Sequence, residues 1–144
     1  MRLLIAVVIT GLSVTSAAAQ TSKEYAQMAK RAWSAFECAA LAAQIDKKDA
    51  HERLFKIGYQ LGKSFIEATL AGRVNRSDIS STVPVGFTMS MQGPTPDFML
   101  GVIWTGAYDS AHQGIYEEEF TGKPIDSSLW DTLGRVDELT QVLA

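Results

Sequence analysis

The chain has little of what small exported or catalytic domains commonly rely on. A single cysteine, Cys38, occurs among 144 residues, so no disulfide can close within the chain and the core must hold by packing. Cys38 stands among Phe36, Ala39, Ala40 and Leu41. It is expected to pack as a small hydrophobe, because no histidine lies near it in sequence to activate it as a nucleophile. There is no Walker phosphate loop, dinucleotide-binding glycine fingerprint, His-Glu-x-x-His pair, Cys-x-x-Cys pair or calcium hand. Haem attachment and the familiar zinc and nucleotide sites therefore lose their sequence support, and neither a metal nor a cofactor is expected. A di-iron helix bundle needs several inward carboxylates and usually two Glu-x-x-His repeats; only one imperfect unit, Asp109-x-x-His112, is present, with Glu37 and Glu67 free to face water.

Positive charge is also sparse, with 13 Lys and Arg against 16 Asp and Glu and a formal net charge of −3. Lys47, Lys48, Arg53 and Lys56, then Arg73 and Arg76, form small groups diluted by Asp46, Asp49 and Glu52. Binding to a phosphate backbone needs a concentrated basic surface, so no nucleic-acid partner is expected.

Long apolar runs are confined to the start. Residues 3–14 are almost continuously apolar, follow Arg2, and lead to Ala17-Ala18-Ala19 before Gln20. The run is shorter than the roughly 20 residues that span a bilayer, and the small residues after it suit a signal peptidase. This predicts a cleavable signal over 1–19, a mature domain over 20–144 without an integral membrane span, and a periplasmic or secreted location. Cleavage removes Arg2, leaving 12 basic against 16 acidic residues, or −4. The remaining length suits one domain.

That domain reads as helical. A first helix is predicted over 22–44, opened by a Thr21/Glu24 capping box, with Tyr25, Met28, Ala29, Ala32, Trp33, Phe36, Ala40 and Ala43 on one face. Asp46 or Asp49 is expected to cap a second helix over 50–71, whose stripe is Leu54, Ile57, Leu61, Phe65 and Ala68 and whose end falls at Gly72. Gly58 and Gly62 lie inside it, one turn apart. Each weakens isolated helicity by about 1 kcal/mol relative to Ala, and close approach of the first helix or of the 101–111 face of the third is the expected offset.

Residues 73–94 form a long Ser-, Pro- and Gly-punctuated connection. Phe87, Met89 and Met91 are expected to pin it to the core in extended or turn conformation, and their alternation with Thr88 and Ser90 allows a short strand that has no evident partner. Asn75-Arg76-Ser77 matches a glycosylation acceptor, a pattern too short to carry weight. A third helix, capped by Thr95 with Pro96 and Asp97 in its first turn, is predicted to reach Tyr116. Leu100, Ile103, Trp104, Ala107 and Ala111 form its stripe, widened by Phe98, Val102 and Tyr108, so it is expected to be the most buried helix. A last helix is predicted over 127–143, with Leu129, Leu133, Val136 and Leu143 on one side. The fold class is thus all-α, a single compact domain of about four main helices with a long ordered connection between the second and third.

The candidate site is the ridge of Trp104, Tyr108, His112 and Tyr116, spaced by four on the third helix, followed by Glu117, Glu118 and Glu119. Asp109, three before His112, is placed to orient it or share a hydrogen bond. His51 beside Glu52 is expected to be a solvent-facing pair. The reading that follows is an exported, noncatalytic binding protein acting on another extracytoplasmic protein, as an inhibitor or protective factor, with the ridge, the acidic triplet and the 86–97 loop as its contact surfaces. A small hydrolase or ligand-binding enzyme centred on His112, with Tyr108 or Tyr116 on substrate, and a self-associating structural envelope protein are the alternatives.

Overall fold

In the computed structural model, which describes residues 20–116 together with 123 and 124, Thr21 Oγ1 accepts from the Glu24 N–H at 3.2 Å. The Glu24 carboxylate answers by accepting from the Thr21 N–H at 2.7 Å. This reciprocal cap opens α1, Ser22–Gln44, and satisfies two of the orphan donors of its first turn. At its other end Asp46 adopts a left-handed φ of 56°. Its N–H bonds to the Ala43 carbonyl and that of Lys47 to the Ala42 carbonyl, the paired bonds of a Schellman ending. Asp46 therefore closes α1 rather than capping the next helix: α2, Lys48–Leu70, begins without a side-chain cap. The same ending recurs after α2, where Gly72 takes φ 69° and the Gly72 and Arg73 N–H groups bond to the Thr69 and Ala68 carbonyls.

Three turn residues make α1 and α2 an antiparallel hairpin. Arg73 donates to the Tyr25 hydroxyl at one end, and His51 reaches the Ala39 carbonyl at the other. The connection then forms two short helices, α3, Arg76–Thr82, and α4, Val85–Ser90. Asn75 caps α3, and Ser22 ties it to the start of α1 by accepting from the Asn75 N–H at 2.9 Å and donating to Asp78 at 2.5 Å. The extended or strand conformation expected near 83–91 gives way to α4. A lone strand leaves its backbone groups unpaired, whereas a helical turn bonds them locally. Phe87 still anchors the segment, fully buried and edge-on to Phe65 at 5.5 Å, but Met89 turns outward at 69% exposure.

The last described helix is α5, Pro96–Tyr116, whose first turn is capped by Thr95 Oγ1 accepting from the Phe98 N–H. It lies across the hairpin, antiparallel to α2 and parallel to α1: Asp97 meets Lys63, Trp104 meets Phe36 and Phe55, and Tyr108 meets Gln44. The product is a compact all-α domain, with no sheet among the described residues. The predicted helix over 127–143 and the triplet Glu117, Glu118 and Glu119 lie outside the described residues.

Phe36, Phe65, Ile66, Phe87 and Ile103 form the fully buried centre. Among the described residues α1, not α5, carries the largest share of the core. Its alanines let neighbours approach over a belt that includes Ala26, Ala35, Ala39 and Ala42 besides the predicted stripe, while Ala43 is exposed. On α5 the core face is Met99, Leu100, Ile103, Ala107 and Ala111, and the widening residues Phe98, Val102 and Tyr108 point outward. On α2, Phe65 and Ala68 of the predicted stripe are buried and Leu61 packs against the core, joined by Gly58, Gly62 and Ile66, while Leu54 and Ile57 are only half-buried.

Candidate functional site

The glycine pair explains how three helices meet so closely. A Cβ added to Gly58 would stand 2.6 Å from the Phe36 ring, and one added to Gly62 would stand 2.6 Å from Leu100 Cδ2 and 3.6 Å from the Ala32 Cβ. The first glycine thus admits a ring from α1, and the second admits α5 itself. Gly86 on α4 makes similar room for the Trp33 indole, whose edge also lies 3.6 Å from a Cβ built on Gly106. The Trp33 N–H donates to Glu37 at 2.8 Å and the Ser110 hydroxyl donates to the same oxygen at 3.0 Å. Glu37 therefore does not simply face water: it ties α1 to α5.

Along the seam above Gly58, six rings gather. Phe36, Phe55 and Trp104 lie with centroids 5.0 to 5.6 Å apart, His51 stands 5.9 Å from Trp104, and Tyr108 continues the row 6.0 Å beyond Trp104. Tyr59 completes the set on α2. The tilted and edge-on arrangement of the other five is the one that ring quadrupoles favour. Between them opens a cavity of about 170 Å³ lined by Phe36, Phe55, Tyr59, Asp97, Leu100, Gly101 and Trp104.

The cavity's polar rim is already bonded to itself. The Tyr59 hydroxyl donates to Asp97 Oδ1 at 2.6 Å, and Lys63 donates to the same oxygen at 2.9 Å. Those two donors, Tyr59 first, hold the Asp97 carboxyl below its ordinary range. The bond to Asp97, then that to Tyr59, raises Lys63 above its own. Asp97 also sits in the first turn of α5, where a carboxylate complements the helix dipole.

His51 departs from its expected place. It is half-buried rather than solvent-facing, and since the Ala39 carbonyl 2.9 Å from Nδ1 can only accept, Nδ1 carries the proton. Cys38 is half-buried as well; burial, then the Glu37 charge, pushes its thiol above the ordinary value. A raised thiol pKa lowers its nucleophilicity at neutral pH.

The predicted ridge divides along its length. Trp104 enters the aromatic seam, Tyr108 is 37% exposed at the seam's end, and its hydroxyl accepts from Gln44 at 3.3 Å. Asp109 and His112 are exposed beyond it and do not line the cavity. For Tyr116 only the helical backbone is described. No group of three or more His, Cys, Asp or Glu side chains placed to hold a metal occurs among the described residues.

Sequence periodicity missed the other half of the site: Phe36 was assigned only to the core, and Phe55, Tyr59, Lys63, Asp97 and Gly101 were not linked. A signal existed in two aromatic pairs spaced by four, Phe55 with Tyr59 and Trp104 with Tyr108, since each makes a ring-lined face that asks for a partner. No described helix is long and apolar enough to cross a membrane. Comparison with protein-family models, with characterised proteins and with solved structures returns no match, so the functional reading rests on this geometry.

Proposed function

We propose that the chain is an exported, noncatalytic binding domain that acts on another extracytoplasmic protein, and that its contact surface is the seam where α5 crosses the α1–α2 hairpin. The observation that carries this reading is the cavity. At about 170 Å³ it is smaller than the roughly 300 to 1,000 Å³ typical of small-molecule and cofactor sites. It does match the kind of pocket that receives one anchor side chain at a protein interface. Tyr108, exposed beside Trp104, extends the same face with a residue type enriched at such interfaces.

Catalysis centred on His112 has less support. A general base needs a concave opening that brings substrate within about 3 Å, and His112 lies exposed, beyond the ring-lined cavity.

Photocrosslinking tests the reading. With a benzoylphenylalanine in place of Tyr108, irradiation of the native extracytoplasmic fraction is expected to yield one discrete adduct with a different protein. The same probe at Leu70, exposed at the far end of α2, is expected to yield none. Adducts formed only between copies of the chain would instead support a self-associating envelope protein, and turnover of a small substrate abolished by His112→Ala would support the enzyme.

A further inference from the structure

We infer that the cavity is a socket for a single neutral aromatic side chain of the partner polypeptide, opened by the missing side chain of Gly101; the inference rests on the binding role proposed above. Gly101 stands inside α5, where glycine weakens a helix relative to Ala. Unlike Gly58 and Gly62, it has no close neighbour among the described residues: a Cβ built there meets none of their atoms within 4 Å. It does line the cavity. A larger residue at 101 would take up space at that lining, so we read this glycine as serving access where the other two serve packing.

The occupant's chemistry follows from the walls. An apolar cavity of about 150 Å³ in another protein holds one benzene ring, and the space here is about 170 Å³. Phe36, Phe55, Tyr59 and Trp104 line it, and a ring entering among them gains tilted or edge-on contacts beyond area burial. Aromatic walls beside a carboxylate are also the composition that takes an organic cation. Here that role is filled from within the chain: the Lys63 ammonium is 2.9 Å from Asp97 and 5.6 Å from the Tyr59 ring centroid. A second cation would meet Lys63 at the rim, whereas a neutral ring leaves the pair intact.

N-acetyl-phenylalaninamide serves as the probe for such a side chain, with tetramethylammonium as the cationic competitor of similar bulk. In proton–nitrogen NMR the Trp104 indole signal is expected to shift saturably with the phenylalanine amide, and to shift at least tenfold less at equal concentrations of tetramethylammonium. Gly101→Leu is expected to abolish the shift while the thermal midpoint stays at or above that of the wild type. Gly101→Ala should weaken it only partly. A Trp104 signal that does not saturate, a stronger response to the cation, or undiminished binding by folded Gly101→Leu overturns the inference. Photocrosslinking through Tyr108 is read independently: an adduct that persists in Gly101→Leu at full yield would retain the partner-binding role and remove the socket from it.

Discussion

Gly62 and Gly101 sit one on each of two helices that pack together, and they are glycine for opposite reasons. At Gly62 the space a side chain would need is taken by Leu100 of α5 and Ala32 of α1; at Gly101, the residue next to Leu100, no described residue stands within 4 Å. One contact is a closed crossing and the other a mouth. The two together show that a helical glycine marks only that a side chain is unwelcome; whether the reason is packing or access is decided by what lies in front of it.

The strongest way to break this contrast is to remove the ring that belongs to both regions. Phe36 is 1% exposed, fills the space before Gly58 and forms a wall of the cavity. Phe36→Ala is expected to cost about 3 to 5 kcal/mol, measured by denaturant unfolding; a loss below about 1 kcal/mol would mean that the crossing and the cavity are not coupled through it.

Gly62→Leu attacks the closed side alone. The obstructing Leu100 is itself 2% exposed and cannot swing clear into solvent, so overpacking should cost roughly 1 to 3 kcal/mol. An unchanged unfolding midpoint and denaturant slope, with specific binding lost instead, would move this glycine from packing to the binding surface.

On the open side the sign should reverse. Gly101→Ala is expected to raise stability by up to about 1 kcal/mol, because it adds helix propensity without a clash. A lower thermal midpoint would show that the position is more crowded than its surroundings indicate.

The rim gives the smallest effect and is best read by titration. Asp97 is depressed, so its contribution is present above the unfolded-state pKa and is lost as pH falls through the folded one; Lys63 is raised, so its contribution is present below its unfolded pKa and is lost as pH rises through the folded one. The Tyr59–Asp97–Lys63 chain should therefore stay closed across the neutral range and open at both extremes. In carbon NMR, Tyr59→Phe and Lys63→Met are each expected to move the Asp97 midpoint upward, since each removes a donor that holds the carboxylate. A midpoint unmoved by either variant would show that the donor it removes does not support Asp97 in solution.

Much of the fold was legible because it depends on local chemistry. The Thr21/Glu24 box, the stop at Gly72 and the Thr95-Pro96-Asp97 start each act within one helical turn, and all three stand where the sequence put them. The helical form of the connection was not legible, because alternation in Phe87, Met89 and Met91 imitates a strand until Phe65 is known to receive Phe87. On α2 the close approach was legible from the Gly58/Gly62 pair, which receives Phe36 and Ala32 of α1 and Leu100 of α5. The apolar stripe was less exact: Leu54 and Ile57 stop at half burial, because periodicity ranks side chains by hydrophobicity and not by which neighbour can reach them. As for the site, Trp104 and Tyr108 could be named from spacing on one helix, but the cavity needs α1, α2 and α5 together, and His51 changes role only when α1 supplies the Ala39 carbonyl.

Only Ile45, Asp46 and Lys47 separate α1 from α2, and this short turn bears on the order of folding. The His51–Ala39 contact spans 12 residues, whereas the Glu37–Ser110 bond spans 73. Local pairings close sooner than distant ones, so the Phe36–Phe55 half of the wall is expected to form with the hairpin, and Leu100, Gly101 and Trp104 to arrive afterwards. A guest held by the complete wall has nothing to grip in the transition state. In stopped-flow experiments it should slow unfolding while leaving the refolding rate nearly unchanged, making occupancy a brake on opening rather than a template for assembly.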